Sequence, residues 1–280
     1  MIRIDAHQHF WRYTPERFGW IAPNGLLACD RLPGDIKPLL EADGFAGCVA
    51  VQAEQDEAET DWLLSLASDH AWILGVVGWT DLTAPDLDAR LVRWRGTPLV
   101  GIRHMVQDDL DPHWLLRADA QAGLRTLLAH GLAYDILVRG RSQLAQVSAF
   151  VDAAGDGTLV LDHGGKPDIA GGEWQPWADT LRAIAERPQV VCKVSGLVTE
   201  ADHVAWSADE IERYLDHLLA CFGPDRLMFG SDWPVCTLAG DYRQVVALVD
   251  AFVQRACPDH RAAVFGATAQ RVYQLTEPDE

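Results

Sequence analysis

The sequence lacks the features of several protein classes. It contains no uninterrupted stretch of about 18 apolar residues, the length that a helix needs to cross a bilayer. Its six cysteines include no CxxC pair and no regular spacing, which indicates free thiols rather than a disulfide framework. Basic residues are scarce, because 23 Lys and Arg stand against 41 Asp and Glu and leave a formal net charge of −18. This charge disfavours nucleic acids and anionic membranes as partners, since both are bound through clustered basic side chains.

The first ten residues are too polar and too short for a secretory signal, so we expect a cytoplasmic protein. No glycine-rich dinucleotide loop follows the first predicted strand; residues 5–11, DAHQHFW, stand there instead. This argues against an open sheet of the dinucleotide-binding type.

What the sequence does contain is a regular alternation of short apolar runs and longer segments of helical period. Eight runs are predicted to be strands, and each is followed by a crossover, which is typical of a parallel barrel. We therefore predict an α/β protein with one domain over residues 1–280, a distorted (β/α)8 barrel of TIM type. The long segment 11–38 is predicted either to cap the barrel or to cover its site. The predicted strands are 1–10, 44–54, 71–81, 98–107, 132–138, 157–165, 189–197 and 225–234.

Polar residues are concentrated at the C-terminal ends of the predicted strands, where barrel enzymes carry their active sites. Stability alone does not explain this concentration, because each buried polar group needs its own partner. The residues are His7, His9, Gln52, Glu54, Arg103, His104, Asp162, His163, Lys193, Ser195 and Asp232.

His7 and His9 are two residues apart on the first strand, so alternation of side chains places them on one face, together with Asp5. Two imidazoles on one strand face are a common pair of metal ligands. The alternative is a hydrogen-bonded structural pair, and partners on other strands decide between the two.

Five segments, DAHQHFW, GIRH, DHGGKP, CKVSGLVTEADH and MFGSDWPV, resemble the amidohydrolase superfamily, and more closely its branch of sugar-lactone hydrolases. The resemblance covers essentially the whole chain and keeps the order of the motifs. It implies a distorted (β/α)8 barrel that hydrolyses a small cyclic ester, with L-fuconolactone as the expected substrate. L-rhamnonolactone or another lactone is the alternative within the branch.

The chain departs from the binuclear members that this resemblance suggests. No lysine stands at the end of the fourth strand, GIRHMVQ, and no histidine follows the fifth, LAYDILV. A bridged two-metal centre is therefore not expected. At most one zinc or other divalent ion is expected on His7, His9, His163 and Asp232, and the resemblance implies that catalysis requires none.

The reaction needs a base for water, a stabilised oxyanion and a proton for the leaving oxygen. We predict Asp232 as the general base, although SDWP also reads as a helix start. His163 is predicted as a second catalytic residue, against the alternative of a core histidine. The predicted substrate contacts are Arg103, His104, Gln52, Lys193, Trp11 and Trp233.

Some of these assignments stay open at the sequence level. Adjacent strand residues face opposite ways, so Arg103 and His104 are not both expected in the site. Lys193 either polarises a substrate oxygen or pairs with a carboxylate inside the barrel. Two other functions are considered: a metal-dependent decarboxylase of the same superfamily, and a non-catalytic sugar-acid binding protein. The sequence does not indicate an oligomeric state.

Overall fold

The computed structural model describes residues 2–276 and contains a sheet of eight parallel strands that follow one another in chain order. This arrangement, with helices outside, confirms the predicted single-domain (β/α)8 barrel of TIM type. That the domain includes every one of the 280 residues stays a prediction. The strands are β1 Ile4–Gln8, β2 Gly47–Val51, β3 Ile73–Gly78, β4 Leu99–Met105, β5 Ala133–Leu137, β6 Leu159–Leu161, β7 Val190–Val194 and β8 Leu227–Phe229.

The helices pack around the barrel through apolar faces of helical period. In α8, Ile211, Leu215 and Leu218 recur at this spacing and are buried, and each such side chain contributes about 1.5–3 kcal/mol through burial. The helices are α1 Pro33–Ala42, α2 Glu57–Asp69, α3 Leu87–Arg93, α4 Ala118–Ala129, α5 Gly140–Leu144, α6 Val147–Ala154, α7 Trp177–Ala185, α8 Ala208–Phe222, α9 Tyr242–Ala256 and α10 Thr268–Tyr273.

Several predicted boundaries differ from the observed ones. Helices α1 and α3 were not predicted; the first contains Pro38 and the second has only seven residues, so neither shows a long apolar period. The helical period of residues 142–153 predicts one helix, and the structure instead has two, α5 and α6. Strands β6 and β8 are shorter than predicted because left-handed residues follow them, His163 (φ 54°) after β6 and Asp232 (φ 58°) after β8.

The barrel closes between β8 and β1 through a few specific bonds. Gln8 and Trp233 form an isolated parallel bridge, and the Asp232 N–H donates to the His7 carbonyl at 2.8 Å. The Asp5 carboxylate accepts the Ser231 N–H at 2.8 Å. The expectation that Asp5 shares the face of His7 is therefore wrong, because the register shifts between Asp5 and Gln8 and directs Asp5 to this seam.

The segment 11–38 contributes to the wall at the mouth of the barrel, and that it caps the barrel or covers the site stays a prediction. Trp11, Phe18, Ile21 and Leu27 are buried together in a small apolar cluster of their own. Trp11 and Trp20 reach the wall of the cavity described below. Within residues 2–276, no helix has the length and apolar character needed to span a membrane.

Candidate active site

A cavity of about 320 Å3 opens at the C-terminal ends of the strands. Loops that follow β1, β2, β4, β5, β6, β7 and β8 contribute to its wall, as expected for a barrel enzyme. It is lined by His9, Trp11, Trp20, Ala53, Arg103, Met105, Gln107, Asp108, Leu137, Arg139, His163, Lys166, Thr199, Glu200, His203, Asp232, Val235 and Leu238.

Asp232 lies at the base of this cavity and faces the histidines of β1. Its Oδ1 is 3.4 Å from His9 Nε2 and 3.8 Å from His7 Nε2. Burial alone raises the pKa of Asp232, but His163, His9 and His7 together lower the pKa by more, which keeps the carboxylate ionised at neutral pH. The side chain caps no helix within the described residues, since Pro234 precedes the next helical turn and Asp241 caps α9.

His163 is brought close to Asp232 by the backbone around Gly196. A Cβ at Gly196, whose φ is 62°, would lie 2.5 Å from His163 Nδ1 and 3.2 Å from Asp232 Oδ2, so only glycine fits between them. His163 Nδ1 is 2.9 Å from the Ser195 hydroxyl. Burial lowers the pKa of His163 to about 4, and the ring is therefore neutral at neutral pH.

His7 and His9 both reach the site, and polar contacts at their ring nitrogens orient the two rings. Lys193 Nζ is 3.0 Å from His7 Nδ1, and Arg103 Nη1 is 3.3 Å from His7 Nε2, so a cation faces each nitrogen of the ring. His7 Nε2 is 3.2 Å from His9 Nε2, and His9 Nδ1 is 2.8 Å from the Val51 carbonyl, which only accepts. Burial, and then the charge of Lys193, hold the pKa of His7 well below its usual range.

The donor atoms of this region fit one divalent ion in their spacing. Ligands 2.0–2.1 Å from a tetrahedral ion lie about 3.3 Å apart. The three separations among His7 Nε2, His9 Nε2 and Asp232 Oδ1 are 3.2, 3.4 and 3.8 Å. Within the described residues His163 groups instead with His7 and Asp162, so the expected four-ligand set is divided into two overlapping triads.

The structure distinguishes Arg103 from His104. Arg103 points into the barrel, where Nη1 donates to Asp162 at 3.0 Å and Nη2 donates to the Gln52 carbonyl at 2.5 Å, and it lines the cavity. His104 points outward: its ring stacks on Trp114, with centroids 4.2 Å apart, and Nε2 is 2.8 Å from Asp109. His104 is therefore not brought to the cavity wall.

Lys193 is buried below the cavity rather than on its wall. Its Nζ is 2.5 Å from Asp135 Oδ2 and 3.1 Å from Asp162 Oδ1, which is the second of the two alternatives considered. Tyr273 of α10 donates to Asp135 at 2.9 Å from the other end of the barrel. Lys193 thus connects the barrel interior to His7.

Two more of the predicted substrate contacts lie outside the cavity wall. The Gln52 side chain is fully buried, and its Nε2 donates to the Arg103 carbonyl at 3.2 Å. Trp233 packs in the main core, while its backbone joins β1. Trp11, by contrast, lines the cavity as predicted, and its indole N–H donates to the Cys29 carbonyl at 2.9 Å.

The cavity wall also contains residues that the sequence did not single out as substrate contacts, above all Lys166, Glu200 and Gln107. Each lies just after a strand or inside one of the five motifs, so its position in the sequence is the only feature that could have indicated a role in the site. A stronger signal appears only in the backbone. Left-handed conformations cost an ordinary residue about 1–2 kcal/mol, and His163, Lys166 and Asp232 all adopt them around this one cavity.

Comparison with known proteins agrees with this geometry. The family model described as amidohydrolase matches residues 4–275. The chain belongs to the amidohydrolase family. This amidohydrolase is 46% identical to an L-fucono-1,5-lactonase of Burkholderia multivorans, over 99% of the chain and 97% of the relative. It is 37% identical to an L-fucono-1,5-lactonase of Burkholderia ambifaria, again over 99% of the chain and 97% of the relative. The predicted resemblance to the sugar-lactone branch is thereby confirmed.

Solved structures give the same result for the fold. Two crystal structures of an amidohydrolase from Burkholderia multivorans superimpose with a TM-score of 0.94 each and cover 99% of this chain and all of theirs. One, 45% identical, contains bound HEPES, and the other, 46% identical, contains bound zinc. A cluster of histidine and aspartate able to hold a divalent ion is thus present in this amidohydrolase, and a relative of the same family is known with zinc.

Proposed function

We propose that this chain hydrolyses the ester bond of a neutral sugar lactone, L-fucono-1,5-lactone being the expected substrate. The observation that carries the proposal is the position of Asp232. Its ionised carboxylate lies at the base of the cavity beside His7, His9 and His163, in a chain whose curated relatives are lactonases. A carboxylate among imidazoles at a barrel mouth suits the deprotonation of water.

In this mechanism Asp232 removes a proton from a water molecule while the water oxygen attacks the lactone carbonyl. Arg103, always charged, and the neutral His163 stabilise the oxyanion that forms. The bond from the carbonyl carbon to the ring oxygen then breaks, and the protonated Asp232 returns its proton to the leaving alkoxide. The product is the open-chain hydroxy acid, with one water consumed.

The tautomers of His163 and His9 support these roles. A Ser195 hydroxyl that donates to His163 Nδ1 leaves the proton of His163 on Nε2, from which it can be donated to the carbonyl oxygen. His9 keeps a lone pair on Nε2 because its Nδ1 faces the Val51 carbonyl. This lone pair is an acceptor for the second proton of the attacking water.

A divalent ion on His7, His9 and Asp232 would supply Lewis-acid polarisation and a lowered pKa for a bound water. We propose that turnover does not require it. Arg103 Nη1 lies 3.3 Å from His7 Nε2, so a permanent positive charge stands beside the ligand atom. The Lys193 ammonium lies 3.0 Å from Nδ1 of the same ring, so a second positive charge faces His7.

The alternative functions receive less support. Two dihydroxybenzoate decarboxylases share the fold with a TM-score of 0.69, but at 12% and 11% identity they show the fold alone. The proposal takes a small lactone as substrate, and no nucleic acid or membrane as partner. The cytoplasmic location stays a prediction.

The experiment is a panel of aldonolactones mixed with the protein and a pH indicator, with spontaneous hydrolysis subtracted. The panel contains the L-fucono, L-rhamnono and other neutral lactones together with a 6-phospho-lactone. We expect acid release from a neutral lactone, fastest for the L-fucono form. No release from any lactone by the folded protein, or release from the phosphorylated one alone, would contradict the proposal.

A further inference from the structure

The mechanism above assigns no role to Lys166, Gln107 and Glu200, three polar residues that line the cavity and contact one another. Lys166 Nζ donates to Gln107 Oε1 at 2.9 Å and lies 3.3 Å from Glu200 Oε1. Lys166, Gln107 and Glu200 come from the loops after β6, β4 and β7, respectively. The side chains of Lys166 and Glu200 are largely buried, with exposed fractions of 12% and 17%. We call these three residues the Lys166 subsite.

The backbone holds this group in place at some cost. Lys166 adopts a left-handed conformation, φ 49°, and its N–H donates to the His163 carbonyl at 3.0 Å. The Ala170 N–H donates to the Glu200 carbonyl at 2.9 Å and ties the loop after β6 to the one after β7. A surface ion pair contributes little to stability. Stability alone therefore does not account for the left-handed backbone at Lys166 and the hydrogen bond between the two loops.

Four apolar side chains line the cavity at the seam of the barrel. Trp11, Trp20, Val235 and Leu238 come from the loops after β1 and β8, which are neighbours at the seam of the barrel. The loops after β4 and β6 lie across the barrel from that seam, because the strands follow one another in chain order. A ligand in this cavity therefore meets these four side chains at the seam and Lys166 and Gln107 across from them, while Glu200 follows β7, the neighbour of β8.

The chemistry of the subsite matches neighbouring hydroxyl groups. An ammonium only donates, a carboxylate only accepts, and a hydroxyl does both. A hydroxyl pair can accept from Lys166 and donate to Glu200 at the same time, through charge-assisted bonds. An ester without hydroxyls has no donor for Glu200 and can offer Lys166 only its ester oxygens. We propose that Lys166 and Glu200, supported by Gln107, determine specificity by binding the ring hydroxyls of the lactone, so that the substrate class is a polyhydroxylated lactone.

This inference rests on the proposed lactonase function, and the experiment separates the two. The specificity constant kcat/KM is measured for L-fucono-1,5-lactone and for δ-valerolactone, which has the same ring without hydroxyls. The variants are Lys166→Met, Glu200→Gln and the conservative Lys166→Arg. Lys37→Met is the matched control, because Lys37 is exposed on α1 and, among residues 2–276, pairs only with Glu41.

For Lys166→Met we expect kcat/KM for the sugar lactone to fall by about 10- to 100-fold, as for one lost charge-assisted bond, while that for δ-valerolactone stays within about threefold. For Glu200→Gln we expect a smaller loss of kcat/KM, again for the sugar lactone alone. Lys166→Arg keeps part of the kcat/KM that Lys166→Met loses. Lys37→Met leaves kcat/KM unchanged for both lactones. Glu200→Gln tests the proposal even if Lys166→Met does not fold, because it leaves the left-handed turn unaltered.

Equal losses on both substrates would overturn the inference and assign the pair to catalysis or to the fold. Unchanged hydrolysis of the sugar lactone by both variants would overturn it as well. A wild-type protein that hydrolyses neither lactone would instead contradict the proposed function.

Discussion

Asp232 illustrates what sequence reasoning can reach at the scale of single residues. Parallel strands bring their C-terminal ends together, so residues on β1 and after β6 and β8 could be expected to meet, and His9, His163 and Asp232 do meet at one cavity. Which of Arg103 and His104 faces the barrel interior could be learned only from the structure. Alternation along a strand predicts that the two side chains point to opposite faces, but not which one points inward. Lys193 needed it too, because its partners Asp135 and Tyr273 belong to no motif.

Replacing Asp232 by Asn preserves the size of the side chain and removes the base. We expect kcat to fall by at least about 100-fold, in the range observed for the loss of general base catalysis. Asp259→Asn is the control, because Asp259 is exposed on the surface. Turnover near the wild-type rate by a folded Asp232→Asn protein would remove Asp232 from the mechanism.

Metal removal tests the histidines of β1. Because Arg103 and Lys193 face the two ring nitrogens of His7, we expect the lactonase rate to survive thorough chelation, and zinc added afterwards to bring no proportional gain. The measurement compares rate with metal content in chelated and zinc-reconstituted enzyme. A rate that vanishes on chelation and returns with one bound ion would make His7 and His9 obligatory ligands.

At the scale of elements, the strands and the long helices could be predicted from their apolar period, whereas the ends of the strands could not. The predicted strands 157–165 and 225–234 continue past β6 and β8, because His163 and Asp232 look like ordinary strand residues in the sequence. Their left-handed backbone depends on neighbours from other elements, such as Gly196. The register shift in β1, which separates Asp5 from His7, is equally a product of the seam with β8.

The seam yields a prediction for Asp5. Removing its carboxylate in Asp5→Ala leaves the buried Ser231 N–H without an acceptor, which costs about 1–3 kcal/mol of unfolding free energy. Asp5→Asn keeps one oxygen acceptor and loses less. Because Ser231 precedes Asp232, we also expect kcat to fall more for the alanine variant. Urea denaturation and turnover measure the two effects, and equal stability of wild type and Asp5→Ala would show that the seam does not depend on this bond.

The start of α2 yields a prediction of pH dependence. Burial raises the pKa of Glu59 from 4.5 to about 8, although the backbone N–H groups of Ala53 and Glu54 donate to the carboxyl group and oppose the rise. Between these values the folded chain keeps a proton that the unfolded chain has lost, so stability falls as pH rises from about 4.5 to about 8 and this contribution is constant above.

Glu59→Gln does not titrate and removes this slope. We expect the unfolding free energy of the wild type, minus that of Glu59→Gln, to decrease between about pH 5 and about pH 8. Denaturation of both proteins across this range measures the difference. A difference that is constant, or that grows with pH, would contradict the prediction. It would mean that the backbone donors lower the pKa of Glu59 by more than burial raises it, so that Glu59 is ionised in the folded protein.

At the scale of the whole molecule, the charge of −18 bears on the substrate. A neutral lactone feels no net force from this charge, whereas a phosphorylated lactone is repelled before it reaches the cavity. The cavity itself offers no excess of basic groups, because Arg103, Arg139 and Lys166 stand against Asp108, Glu200 and Asp232.

Salt distinguishes the two substrates, because the Debye length shortens from about 30 Å at 0.01 M to about 10 Å at 0.1 M. We expect kcat/KM for the neutral lactone to stay within about twofold from 0.01 M to 0.5 M salt, since binding a neutral molecule involves no long-range attraction. The weak hydrolysis of a 6-phospho-lactone should rise over the same range, as the repulsion is screened. The opposite result is a kcat/KM that is higher for the phosphorylated lactone than for the neutral one and that falls as salt is added. It would show an attractive anion site in the cavity and would contradict the neutral substrate class.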